Sequence, residues 1–270
     1  MCAGALSLAM GALSRPEEAA VRHPLARKNA DTDAQMFERL KTYHAKRIGT
    51  SPGMTIIDVG ANRGIWAREA LHIWPQASLF MLEANPVHES ALEQLAQELR
   101  TSRRIVEARI AVLGDAERNV TMHEATTKYM RDTGNSIFRQ KSKSDLYRPV
   151  ERRMRTLDNV LVALLGRLKR PPACVELLKL DVQGAEVLVL QGAERTMRQA
   201  RFLLLEVSLV PLNENAPLFA EVVAFLAQRG FALVEVLAYP NLGLDRRTSS
   251  PSPDPLLTRS GPVSGQATLQ

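Results

Sequence analysis

Four acidic side chains stand at or near the ends of apolar runs: Asp58 in TIIDVGANRG, Glu83 in SLFMLEANP, Asp181 in VELLKLDVQG and Glu206 in RFLLLEVSLV. Short apolar runs rich in β-branched residues read as buried strands. Each acid therefore falls close to the carboxyl end of a strand. One such acid has an ordinary explanation, because a following helix N-terminus favours a carboxylate. Four at one sheet edge describe a site, since open α/β sheets bind ligands outside the carboxyl ends of their strands.

The turn after the first acid adds chemistry. Gly60 permits a sharp reversal of the chain, and Gly64 permits close approach of helix and ligand. The spacing is G-x-x-x-G rather than the G-x-G-x-x-G of nicotinamide-binding turns. Asp58 beside the turn repels a pyrophosphate and suits a cationic ligand end, an ammonium and a sulfonium. Glu83, about 20 residues past the turn, suits a ribose diol, because a carboxylate accepts from both hydroxyls. An amine, a ribose and no phosphate together describe S-adenosylmethionine.

These side chains need a scaffold. Met36, Leu40 and Tyr43 fit a helix within 33–48, and SPG at 51–53 is a turn. Trp66, Ala70, Ile73 and Trp74 share a helix face that Pro75 ends; Leu92, Leu95, Ala96 and Leu99 share another. RIVEARIAVL is a further strand, and NVTMHEA alternates as an extra strand or hairpin arm. Leu218, Val222, Phe225 and Leu226 make a helix before the strand FALVEVL. Strand and helix alternate through most of 54–236. This predicts a doubly wound, Rossmann-like α/β fold with a mostly parallel, seven-stranded sheet. Residues 33–245 read as one domain, 1–32 as a partly disordered tail, frayed or briefly helical, and 246–270 as a disordered Ser/Pro-rich tail. Residues 124–150 show no period and read as a long loop, so that a basic insertion spans about 124–155.

Composition narrows the function. The formal charge is +6, and Arg139, Lys141, Lys143, Arg148, Arg152, Arg153 and Arg155 face only Asp145 and Glu151 in one short segment. A surface of this kind attracts an anionic small molecule or is simply a solvated loop. Phe138 and Tyr147 alone make a thin stacking platform, which disfavours nucleic acid. Cys2 and Cys174 exclude a disulfide scaffold and a cysteine-rich metal site. The five histidines lack ligand spacing, so no metal is expected. No basic n-region opens the chain and no window suits a membrane span, which gives a cytoplasmic protein without a membrane partner.

In the order IIDVGANRG, FMLEANP, RTLDNVL, LLKLDVQGAEVLVLQGAE and LLLEVS, the chain resembles the FkbM-type methyltransferases of class I over roughly 50–236. KLDVQGAEVLVLQGAE is the specific part. The family more often has Glu where this chain has Gln183, so that position takes no acid's role. The resemblance implies S-adenosylmethionine as cofactor and a hydroxyl of a sugar, polyketide or other natural product as acceptor. It implies that Asp58, Gly60, Ala61, Asn62 and Gly64 line the methionine end of the cofactor. Glu83 would hold the ribose, Asn85 would neighbour the adenosine, and Asp181 would lie near the transferring methyl.

A hydroxyl nucleophile gains from a base. The candidates are Asp181, Glu186 and Glu206, with Asp181 first; His123 reads as structural. An ion pair with Lys179, on the same strand face, is the alternative role for Asp181. Asp158 reads as the N-cap of NVLVALLG. In the loop before the basic run, Asn135 and Ser136 suit a polyol, Phe138 suits a sugar face, and Arg139 begins the cationic stretch. The competing functions are a methyltransferase acting on RNA or protein and a nicotinamide-dependent oxidoreductase.

Overall fold

The computed structural model describes residues 5–12, 33–43, 54–101, 104–126, 134–141, 144–167 and 175–238. Thr55–Val59 (β2) is buried at every position, as a strand with helices on both of its faces must be. It pairs in parallel with Ser78–Glu83 (β3) on one side and Val175–Leu180 (β8) on the other. Val106–Ile110 (β4) extends the sheet beyond β3, and Ala200–Ser208 (β9) extends it beyond β8. These five strands form the parallel block that positions the site.

Alternation along each strand divides its side chains between two cores. Ile57, Val59, Phe80, Leu82, Leu178 and Leu180 pack with helices α4 (Leu157–Leu165), α5 (Glu186–Gln191), α6 (Glu194–Gln199) and α7 (Phe219–Ala227). Ile56, Leu79, Met81, Leu177 and Leu204 pack with α1 (Asp33–Tyr43), α2 (Ile65–Ile73) and α3 (Glu89–Leu99) on the opposite face.

Three sequence expectations are corrected. Within the expected N-terminal tail, Ala5–Ala12 form a strand (β1), antiparallel to β9 on one side and to Phe231–Ala238 (β10) on the other. Its apolar, uncharged composition suits an interior strand as well as it suits a loose tail. The full order is β10-β1-β9-β8-β2-β3-β4. The expected loop at 124–155 also contains structure. Arg118–Ala125 (β6) pairs antiparallel with Tyr147–Arg155 (β7), and Val112–Leu113 (β5) pairs with β7 in parallel. Arg148, Arg152 and Arg155 hide this strand from a hydrophobic reading because they bond to acids instead: the first two reach Glu124 and the third Glu117. Finally, Thr156 and not Asp158 caps α4, accepting a hydrogen bond from the Asn159 amide at 3.3 Å. Asp158 accepts from the Arg195 and Thr196 amides at 2.8 and 2.9 Å, and so caps α6 from outside that helix.

Candidate active site

The glycine turn closes directly over the ends of β2, β3 and β8. The Gly60 and Ala61 amides both donate to the Leu82 carbonyl, at 2.8 and 3.1 Å. Gly60 has φ +79°, and a Cβ there would collide with the Asp181 carbonyl oxygen, so both conformation and space require glycine. Gly64 answers a different need from the one expected. It packs against Leu95 of α3 and lines neither of the two cavities described below.

Glu83 sits half-buried at the end of β3. One of its oxygens accepts from the Asn62 amide at 2.7 Å and the other from the Asn85 amide at 2.8 Å. Two backbone donors thus fix the carboxylate while each oxygen keeps acceptor capacity. Asn85 itself accepts from the Val87 amide at 3.2 Å and caps a single 3-10 turn, Pro86–His88.

Two cavities meet at this edge and share Gly60, Asn62 and Asp181. The smaller, about 120 Å³, is walled by Leu82, Val112, Leu113 and Met122, with Glu83, Asn85 and Asn135 as polar contacts. Among the described residues its lining holds two acids and no Lys or Arg. The larger, about 610 Å³, opens toward α1 and α2 and is lined by Met36, Phe37, Trp66, Lys179, Asp181 and Glu206 among others. The Trp66 indole N–H is buried at its wall with no hydrogen-bond partner among the described residues.

The acids divide into distinct roles. Asp58 is fully buried, and its Oδ1 lies 2.8 Å from the Lys179 ammonium. It is a counter-ion inside the sheet and lines neither cavity, which corrects its expected contact with a ligand cation. Asp181, 29% exposed, lies 4.0 Å from the same ammonium and belongs to both cavities. The nearby charge of Asp181, with burial, pushes the Glu206 carboxyl up to about 9. Glu186 is 1% exposed and accepts from the Val182 and Gly184 amides, both at 3.2 Å. Burial pushes it up to about 7. It shapes the 181–184 loop and faces neither cavity, so it is removed from the candidate bases.

The 134–140 segment clamps that loop. Ser136 is buried, donates to the Gln183 carbonyl at 2.8 Å and accepts from the Phe138 amide at 3.0 Å. Its hydroxyl proton is thus committed to the loop, while the residue also lines the smaller cavity. Asn213 donates to the same carbonyl at 2.8 Å, and Gln183 bonds Asp181 at 3.0 Å. Asn135 reaches the smaller cavity, with its side-chain Oδ1 accepting from the Ala125 amide at 2.9 Å. Phe138 packs against Gly184, and Arg139 pairs with Glu214 at 3.7 Å on the surface. His123 exchanges backbone hydrogen bonds with Ser136.

This frame of glycine turn, strand-end acids and acid loop coincides with a sequence family. The model of the methyltransferase FkbM domain matches residues 58–233, from Asp58 into β10.

The chain belongs to the FkbM methyltransferase family.

No match was found among curated proteins. Among solved structures, the chain is similar to methyltransferase FkbM from Methylobacillus flagellatus KT, at 15% identity and a TM-score of 0.34. That similarity covers 53% of this chain and 29% of the other, so the matched part is under a third of that protein's length. Within the FkbM domain, sequence reasoning located Gly60, Asn62, Glu83, Asp181 and Glu206 at one edge. It missed the wall that Met36 and Phe37 of α1 supply, because an amphipathic helix does not announce what it covers. It also missed Trp66 and the pairing of Lys179 with Asp58. Asp58 and Lys179 are register neighbours on β2 and β8, 121 residues apart in sequence, and only the strand order brings them together.

Proposed function

We propose that this FkbM-family protein transfers a methyl group from S-adenosylmethionine to a hydroxyl of a sugar or other natural-product small molecule. The observation that carries the reading is the smaller cavity. A fixed carboxylate, Glu83, lies at its rim, apolar walls surround it, and among the described residues no lysine or arginine lines it. When bound, the cofactor supplies an electrophilic methyl carbon whose bonding pair departs with a neutral sulfur.

The residues present suit such a group. Glu83 has acceptor capacity for a ribose diol, and Leu82, Val112, Leu113 and Met122 offer an adenine-sized apolar wall. Gly60 and Asn62 lie where the two cavities join. The acceptor then enters through the larger cavity, between α1 and Trp66. Asp181, common to both cavities, takes the acceptor's proton. Positioning supplies much of the rate, because this displacement leaves no anion on the departing group.

The test uses methyl-labelled cofactor and a panel of hydroxylated acceptors. Glu83→Ala is expected to lose cofactor binding. Asp181→Asn is expected to keep binding and lose at least about 100-fold in turnover, the usual contribution of a positioned base. Full turnover by Asp181→Asn with unchanged cofactor affinity would remove Asp181 as the base.

A further inference from the structure

The FkbM family match begins at Asp58, yet one wall of the larger cavity precedes it in the chain. Met36, Phe37, Glu38 and Lys41 of α1 all line that cavity. The helix is held firmly. Met36 and Leu40, one turn apart, are buried in the core, and the Arg39 guanidinium donates to the Val236 carbonyl of β10 at 3.1 Å. Phe37 is half-buried and meets Trp66 of α2, with ring centroids 6.2 Å apart and planes tilted by 32°. The Lys179 ammonium lies 5.4 Å from the centroid of the same indole ring. Two contacts thus fix Trp66, so an apolar ligand packing on it loses little to ordering the wall. Ile65, the first residue of α2, is 72% exposed and lines the same cavity. Beside two aromatic rings it makes an apolar patch that the fold leaves uncovered.

The charges disfavour an anionic occupant. Among the described residues of the lining, the acids Glu38, Glu69, Asp181 and Glu206 stand against the cations Lys41, Arg63 and Lys179. Lys41 bonds Glu38 at 2.6 Å and Lys179 bonds Asp58 at 2.8 Å, so two of these cations are already matched by a carboxylate of the protein. The basic segment 139–155 adds nothing here. None of its described residues lines the cavity, and Arg148, Arg152 and Arg155 pair with Glu124 and Glu117. At about 610 Å³ the space suits a drug-sized organic molecule.

We propose that α1 sets which acceptor this protein takes: Phe37, Trp66 and Ile65 select an uncharged hydroxylated molecule with an apolar, ring-sized body over phosphorylated and nucleotide-linked sugars. The apolar body packs on the aromatic pair, and its hydroxyl points toward Asp181 where the two cavities meet. Calling this molecule the methyl acceptor rests on the methyl-transfer reading; its fit to the aromatic wall does not.

The test is calorimetry on the full chain with β-naphthol, methyl β-glucopyranoside and glucose-6-phosphate as probes, and with S-adenosylhomocysteine titrated in parallel. β-Naphthol is expected to bind at least about tenfold more tightly than either sugar. Phe37→Ala is expected to weaken β-naphthol about tenfold, the scale of one aromatic contact, while S-adenosylhomocysteine affinity stays as in the wild type. Phe37 does not line the smaller cavity, so a merely structural loss would move both ligands together. If Phe37→Ala fails to fold, Ile65→Ser reads the same wall from an exposed position and is expected to weaken β-naphthol about threefold. Unchanged β-naphthol affinity in the folded variant overturns the proposal, and so does glucose-6-phosphate binding as tightly as β-naphthol. Binding of β-naphthol with the expected losses, but no S-adenosylhomocysteine binding in the wild type, would support the aromatic wall and count against the methyl-transfer reading alone.

Discussion

At neutral pH Glu206 carries a proton that an ordinary glutamate would have lost, because Asp181 lies against it in a half-buried site. The folded protein therefore binds more protons than the unfolded chain between about pH 4.5 and about 9. Stability is full below that window and falls as pH rises through it. Glu186 acts with the same sign between about pH 4.5 and about 7, through burial. Gln mimics a protonated Glu, so Glu206→Gln is expected to gain stability over the wild type steadily from pH 5 to pH 9. Urea midpoints at several pH values read this, and a pH-independent difference would contradict it. Asp58 gives a second residue-level prediction. Asp58→Ala leaves the Lys179 ammonium buried without its closest partner and should cost about 3–5 kcal/mol, the usual penalty for breaking a buried pair. The acids themselves were legible because each follows an apolar run. Their partition into counter-ion, cavity acids and loop brace was not, because it depends on contacts between strands far apart in sequence.

Among the elements, the 181–184 loop is held by donors from two other segments. Ser136 and Asn213 both bond the Gln183 carbonyl, and Glu186 gathers the loop amides from below. Ser136→Ala removes one donor to Gln183 and the acceptor for the Phe138 amide. It is expected to cost about 1–3 kcal/mol and to speed amide exchange at 182–184; exchange at the wild-type rate would show that the clamp is not what orders the loop. Asp158 is the corresponding brace for α6. Asp158→Ala should lower stability by about 1–2 kcal/mol without changing the denaturant slope. The motif KLDVQGAE identified this loop in the sequence, and the apolar strands leading into it were equally plain. The clamp was hidden because GNSIF looks like any polar turn until its hydroxyl is seen to be occupied. The β7 strand was hidden by arginines that alternate with little apolar signal.

For the whole molecule, the parallel block and its two cores could be read from β-branched runs and helical periods. The insertion of β1 could not. It is a long-range antiparallel pairing that joins β9 to β10, and pairing across the chain leaves no local signature. Deleting residues 1–12 should leave β9 as an exposed edge and lower the melting temperature markedly; an unchanged melt would contradict a structural role for that strand. The larger cavity is also a whole-molecule feature, since α1, α2, β8 and β9 each contribute to its wall. Among the described residues, no helix is long and apolar enough to cross a membrane. The central claim is that the glycine turn and Glu83 hold S-adenosylmethionine. Calorimetry on the full chain tests it most directly, with S-adenosylmethionine, S-adenosylhomocysteine and a nicotinamide dinucleotide as titrants. The account predicts one-to-one binding of both adenosyl ligands, its loss in Glu83→Ala, and no heat from the dinucleotide. Binding of the dinucleotide with no response to either adenosyl ligand would contradict it.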